Sequence, residues 1–507
     1  MELDLNVEKI DYMKLLFSGS LVHEETAEVI VPDILPDACR IVTTCGTALL
    51  RGKDVSERGL TVAGTVEGAV LYLPEEEDIA RKIDFSVPFE ATLATEDSLP
   101  PECRLTACVS VRQLWTDILN PRKVCIRMAV AVSAKAYGQE TAEIAVPAAE
   151  GGDVELREKT VTAEIPSAVC EKTFTLSDEL TFPNGMPEPG EILSILPQLT
   201  VDEVKGVGNK LVARGRLVTN VIYLSADGQI PASGSFTTPF SQIIECDVDC
   251  EDNVSDVTPM LIGVYLSRGG ATTEGALLML EADAVLQCVT YAKKEIRCIE
   301  DAYSTGYDLL LGRDVIALPV VAERFSVTKT VMGSLETPAR PREVLGLMIC
   351  PGSAAISGKT LSAEMEVTVL YTTENGVLAA VQRAIRAETE HDLTGMENRE
   401  AAALLEGEAY AGIVGSGFEV RFPVCMSAFS SDDRGLETIS SIAWDPEQPR
   451  DTADIPSLTV YRTRGGDDLW ELGKQFCSTD DLILRANGLE GNAPLAAGIM
   501  LVIPKKR

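Results

Sequence analysis

Histidine is nearly absent: His23 and His391 are the only two in 507 residues. A His-dependent triad needs one of them beside a Ser or Cys nucleophile, and no Gly-x-Ser-x-Gly elbow surrounds a candidate. No glycine-rich loop runs into Lys-Ser or Lys-Thr, and Gly206-Val207-Gly208-Asn209 lacks the third glycine of a dinucleotide loop, so it reads as a turn. Basic residues are scarce, 44 Lys and Arg against 78 Asp and Glu, for a net charge of −34. Nucleic acid and anionic membranes both demand basic patches, so neither is an expected partner, and Lys505-Lys506-Arg507 reads as a solvated tail. No uninterrupted apolar run approaches about 18 residues, so no transmembrane span is expected. The acidic start Met1-Glu2-Leu3-Asp4 offers no basic n-region for a secretory signal. The cysteines, 13 of them, sit mostly inside apolar strand patterns (Cys125, Cys170, Cys288, Cys350, Cys425), as buried free thiols of a reducing, cytoplasmic compartment do. Cys103 with Cys108, and Cys246 with Cys250, lack the two-residue spacing of a metal pair, so no metal and no cofactor is expected. No motif singles out a catalytic carboxylate pair. The chain reads as a non-enzyme.

What is present is repetition. Leu217-Val218-Thr219-Asn220-Val221-Ile222-Tyr223 has echoes ending at Val70-Leu71-Tyr72 and Val369-Leu370-Tyr371, with the tyrosines 151 and 148 residues apart. Upstream, Pro36, Pro189 and Pro341 each lead into a strand at spacings of 153 and 152. Downstream, each copy ends in a long period-2 strand: Ile126 to Ala134, Leu278 to Cys288, Phe418 to Met426. A period near 150 means whole domains, since solenoid turns repeat every 20–50 residues or so. The expected fold class is therefore mainly β, with three tandem β-rich domains.

In order, residues 1–140 hold an N-terminal lead-in (3–17, short helix or strand) and repeat one, with a hairpin expected at Asn120-Pro121-Arg122-Lys123. A linker is expected at 141–155, repeat two at 156–301 and repeat three at 302–440. Within the third, Arg399 to Ala411 has the composition of a helix. A second, Pro-punctuated linker follows at 441–456. Residues 457–507 read as strand, helix, helix, strand, a small α+β (βααβ) unit. Asp468-x-x-Glu471 opens its first helix as a capping box and Asn487-Gly488 stops the second.

That last unit resembles a LysM domain in its Tyr461, its Gly466-Asp467-Asp468-Leu469-Trp470 entry, its Asn487-Gly488-Leu489 and its closing Ile503-Pro504. The resemblance implies a shallow groove for N-acetylglucosamine glycans between two loops. One carries Gly466, Asp467, Asp468, Leu469 and Trp470; the other carries Asn487, Gly488, Leu489, Pro494 and Leu495. Ile30 to Asp37, Val70-Leu71-Tyr72, Val87-Pro88-Phe89 and Asn120 to Val124 resemble the SPOCS domain, a spore-coat-associated module. The second copy keeps Val221-Ile222-Tyr223 and Pro239-Phe240, and the third has diverged further. SPOCS repeats with one C-terminal LysM domain resemble the SipL-type spore morphogenesis proteins. The resemblance implies a non-catalytic adaptor in the mother-cell cytoplasm, docking through the LysM domain on the spore-coat ATPase SpoIVA at the forespore surface. Two other expectations stand beside it: a peptidoglycan-binding protein of wall or cortex, and a lattice protein that self-associates through exposed sheet edges.

Overall fold

Three strand-rich repeats share one plan. The computed structural model describes residues 1–56, 59–75, 77–148, 154–272, 275–391, 399–432, 435–489 and 495–506. The first repeat comprises β1 (Leu5–Ile30), β2 (Ala38–Ser56), β3 (Gly59–Pro74), β4 (Arg81–Ala94), β5 (Arg104–Asn120) and β6 (Lys123–Pro147). They form two antiparallel sheets of order β1-β6-β5 and β2-β3-β4. The second has β7 (Val154–Pro183), β8 (Pro189–Val207), β9 (Lys210–Ser225), β10 (Pro231–Glu245), β11 (Val254–Thr272) and β12 (Gly275–Ser304). Its sheets, β7-β12-β11 and β8-β9-β10, repeat that order. In the third, β13 (Tyr307–Ile316) and β14 (Val320–Glu336) stand where a single long strand stood before. Next come β15 (Pro341–Ser357), β16 (Thr360–Thr373), β17 (Leu378–Glu390), β18 (Arg399–Leu405), β19 (Tyr410–Val414), β20 (Gly417–Asp432) and β21 (Leu436–Pro449). Here β14-β20-β18, with β19 also on β20, faces β15-β16-β17, and β13 pairs β21. The chain closes with β22 (Leu458–Arg462), α1 (Leu469–Phe476), α2 (Asp480–Asn487) and β23 (Met500–Pro504). The fold is mainly β, and no helix among the described residues is long and apolar enough to cross a membrane.

The repeated Val-aliphatic-Tyr triplet is buried on both faces of its strand. Val70 and Tyr72 point into the first repeat's own core, as Val221 and Tyr223 do in the second and Val369 and Tyr371 in the third. The residue between them, Leu71, Ile222 or Leu370, points the other way into a common cluster completed by Leu73, Leu193, Leu224, Leu345 and Leu378. Period 2 turns one short stretch into two interfaces. Each such aliphatic side chain, fully buried, is worth about 1.5–3 kcal/mol. The repeats therefore surround a shared apolar centre.

Polar clamps fix the seams around that centre. The buried Gln287 amide on β12 donates to the Ala107 carbonyl on β5 (2.7 Å), while its oxygen accepts from the Ala107 N–H (2.9 Å) and from Lys53 Nζ (2.6 Å). Between the second and third repeats, Arg324 pairs with Asp256 (2.6 Å) and Glu164 (3.0 Å) and lies 4.4 Å from the Tyr291 ring centroid. Between the third and first, Glu400 accepts from Ser18 (2.6 Å) and Lys135. At the chain start, the Leu3 N–H donates to the Ile442 carbonyl (2.8 Å) and the Trp444 N–H to the Met1 carbonyl (2.9 Å), joining the first segment to β21.

Several expectations change here. Residues 5–17 belong to β1, and the β5–β6 turn lies at Asn120–Lys123, where the hairpin was expected. Most of 141–155 that is described is strand: Ala142 and Ile144 on β6 are buried among Ile10, Ile165 and Ile296, while 149–153 lie outside the described residues. Residues 441–449 are likewise strand, with Ile442 buried. Arg399–Leu405 is β18, not helix, because it pairs with Val424–Ser430 of β20 and partner hydrogen bonds override intrinsic propensity.

The tyrosines differ in their bonding. Tyr72 donates to the Pro36 carbonyl (2.8 Å) and Tyr223 to that of Pro187 (2.9 Å). Among the described residues the buried Tyr371 hydroxyl has no hydrogen-bond partner, although Thr337 approaches it. Tyr223→Phe should therefore cost about 1 kcal/mol, read as a lower urea midpoint, while Tyr371→Phe should be neutral or stabilising. Equal losses for both would show that the bond to Pro187 contributes nothing.

Candidate functional site

Two constellations from the sequence can be located. In the first repeat, Arg122 at the β5–β6 turn gathers the Pro32–Asp37 segment. Its guanidinium donates to the carbonyls of Val31 (2.9 Å), Pro32 (2.9 Å) and Leu35 (2.7 Å) and pairs with Asp37 (3.1 Å) and Asp33 (3.3 Å). A planar five-donor fork is the side chain suited to that many acceptors. The Ile30–Asp37 and Asn120–Val124 motifs, some 90 residues apart in sequence, thus form one folded corner whose role is structural.

The second constellation is the C-terminal βααβ piece. Strands β22 and β23 pair antiparallel, and Leu472, Ile483, Leu501 and Ile503 form its small core. Asp468 caps α1, accepting from the Trp470 N–H (3.2 Å), and Thr479 caps α2 through the Leu482 N–H (3.3 Å). Asp467 closes the preceding turn on the Arg464 N–H (2.7 Å), and Gly466 (φ +92°) supplies its left-handed backbone. Asn487 is spent internally: its amide donates to the carbonyls of Ile483 and Val502 (2.7 Å each) and its oxygen accepts from the Val502 N–H (2.7 Å). Gly488 (φ +63°) ends α2. Leu469, Leu489 and Leu495 pack on the core, and Pro494 lies outside the described residues.

Asp468 and Trp470 do more than shape this unit, because they face the second repeat. Asp468 pairs with Arg157 (2.7 Å), which also reaches Glu300 (3.2 Å). The Trp470 ring meets Tyr303 edge-on at 4.6 Å, and its indole N–H donates to Asp301 (2.8 Å). Lys474 also bonds Asp301, the Tyr303 hydroxyl donates to the Ser478 carbonyl (3.0 Å), and Lys506 pairs with Glu155 (2.9 Å). Gly473 permits the approach, since a Cβ there would lie 2.5 Å from the Tyr303 hydroxyl. Burial favours a protonated Asp301, but the bonds from Lys474 and Trp470 outweigh it and hold the carboxyl below its usual 3.8. Asp480, at the start of α2, is raised by burial first and then by the charge of Asp468. Sequence reasoning missed Arg157, Asp301 and Tyr303 because nothing local marks them; their partners lie more than 160 residues away.

Elsewhere, His391 bonds Glu323 (2.6 Å) and stacks on Phe325. His23 lies 3.6 Å from Glu25, in another repeat. A cleft of about 410 Å³ opens between the first two repeats, but its charges are already matched, Lys82 to Asp84 (2.9 Å) and Glu67 to Arg51 (2.7 Å). Among the described residues, no group of three or more His, Cys, Asp or Glu side chains is placed to hold a metal ion.

Asp301→Ala should loosen the C-terminal unit, read as faster hydrogen exchange over 469–478 with the β-repeats unchanged. A carboxyl held low stabilises above its unfolded value and loses that contribution as pH falls through the folded one, so docking should weaken only below about pH 4. Unaltered exchange in the variant would mean that the contact contributes no stability.

Residues 189–267 match the family model described as SipL, SPOCS domain. No curated protein and no solved structure matches the chain. The matched segment spans β8, β9, β10 and most of β11, the sheet carrying Val221-Ile222-Tyr223 and the strand that returns to the facing sheet. It falls on the second repeat, although the first carries the fuller form of the motif. The SipL SPOCS family is not a known enzyme family. That match lies inside a strand order found three times among the described residues, and it supports a SipL-type SPOCS domain over the segment it covers.

Proposed function

We propose that this protein is a non-catalytic adaptor of endospore coat assembly. The β-repeats, all three read as SPOCS modules, form a rigid platform, and the C-terminal unit, read as a LysM domain, engages the coat-basement ATPase SpoIVA at the forespore surface in the mother-cell cytoplasm. The observation that carries this reading is the SPOCS match at 189–267 in the second repeat. Charge supports the division of labour. Residues 457–507 hold seven Lys or Arg and six Asp or Glu, a net +1, so the first 456 residues carry −35. A near-neutral unit on an acidic body is the part that can approach a partner without long-range repulsion. The peptidoglycan alternative has less support at Trp470, whose ring is buried against Tyr303 and whose N–H is taken by Asp301.

The test compares the full chain with a 457–507 deletion, in sporulating cells and against purified SpoIVA and soluble muropeptides. The deletion should abolish forespore localisation and SpoIVA binding while the β-repeats keep their cooperative melt. A truncated protein that still localised would overturn the docking role, and binding of the full chain to muropeptides alone would establish the glycan reading instead.

A further inference from the structure

Four of the cysteines converge inside the second repeat. Cys170 on β7 and Cys288 on β12 are register partners across the sheet. Cys246 and Cys250 lie in the segment that carries the chain from β10 to β11. That segment is pinned: the Cys246 N–H donates to the Asn209 carbonyl (2.9 Å) and the Cys250 N–H to that of Gly208 (2.7 Å). Gly206 lies so close to Cys250 that a Cβ there would sit 1.9 Å from its carbonyl oxygen. The Sγ atoms of Cys170 and Cys246 are held 3.1 Å apart, and Cys288 Sγ lies 3.7 Å from Thr290 Oγ1. Cys246, Cys250 and Cys288 are buried, and Cys170 is partly accessible.

We propose that Cys170 and Cys246 are an oxidisable dithiol, a modification site that closes to a disulfide on exposure to a small disulfide oxidant such as glutathione disulfide. The Cys170 thiolate attacks one sulfur of the oxidant, releasing one glutathione thiolate and leaving a mixed disulfide. The Cys246 thiolate then attacks the Cys170 sulfur and displaces the second. The two cysteine protons end on two glutathione molecules, so the oxidant is reduced by the two electrons that the dithiol loses. The order follows access, since Cys170 is the thiol an oxidant can reach. The product joins β7 of one sheet to the segment leaving β10 of the other and clasps the sandwich. The bond with Cys246 lowers the Cys170 thiol, but bonding to Cys288 and burial outweigh it and raise it, while the bond with Cys170 and burial raise Cys246. Thiols so protected react slowly, so closure belongs to sustained exposure and not to brief contact.

The experiment uses the full chain, purified reduced, incubated with glutathione disulfide, then denatured, alkylated and weighed intact. Oxidised protein should be lighter by two hydrogens and carry two fewer alkyl groups than the 13 of the reduced form, with a peptide map joining Cys170 to Cys246. Its melting midpoint should rise and fall back on reduction. Cys170→Ser and Cys246→Ser should each lose the bridge and Cys250→Ser should keep it. Should a variant fail to fold, the map of the unaltered protein decides alone. Retention of all thirteen thiols, or a bridge between another pair, overturns the proposal. So does zinc that purifies at one ion per chain and protects these four thiols until chelated.

Discussion

The structure depends on the aliphatic contact at its centre, where Leu71, Ile222 and Leu370 meet. A strand buried on one face can belong to an isolated sandwich; a strand buried on both must be covered by something else. In this chain the cover for each repeat is the other two. The hydrophobic gain at the centre is shared, so no repeat can present that sheet to water without exposing a contiguous apolar patch. The polar clamps at Gln287, Arg324 and Glu400 add direction to what is otherwise a non-directional attraction. Their geometries are unalike, as expected for seams that have diverged while the centre stayed apolar.

The C-terminal unit is held by contacts of another kind. Among the described residues, its interface with β7 and β12 is a few charged and aromatic groups around Asp301 and Tyr303, and its own aliphatic cluster does not extend into the repeats. Ion pairs of partly exposed groups contribute little each, so most of the hold here falls to the buried Trp470–Tyr303 contact. It fixes where the unit rests while leaving its release inexpensive beside the cost of separating the repeats.

Much of this was readable beforehand because it is periodic. The Val-aliphatic-Tyr triplet announced itself by recurring, and the long alternating strands showed their buried faces residue by residue, from Ile126 to Ala134 and from Phe418 to Met426. The end caps of the last unit, Asp468 and Gly488, were legible because capping is local chemistry. What failed was non-local. Arg399–Leu405 has helical composition, yet β20 lay beside it and supplied the hydrogen bonds. Residues 142–147 look like a linker until Leu5–Ile10 is placed against them. The partners of Asp468 and Trp470 were missed because Arg157 and Asp301 carry no signature that pairs them across the chain.

The junction of Leu3 with Ile442 has a consequence for synthesis. Residues 1–3 find their partner strand only after more than four hundred further residues have been made. Until then the first repeat carries an unpaired strand end, and until Leu378 has been made it also carries an incompletely covered face of Leu71 and Leu73, surfaces prone to mispairing between nascent chains. Loop closure over such a separation adds little to the equilibrium cost, because that cost grows only logarithmically, but it delays the event. The protein's vulnerable period is its translation, and its length is set by the position of Ile442 in the sequence.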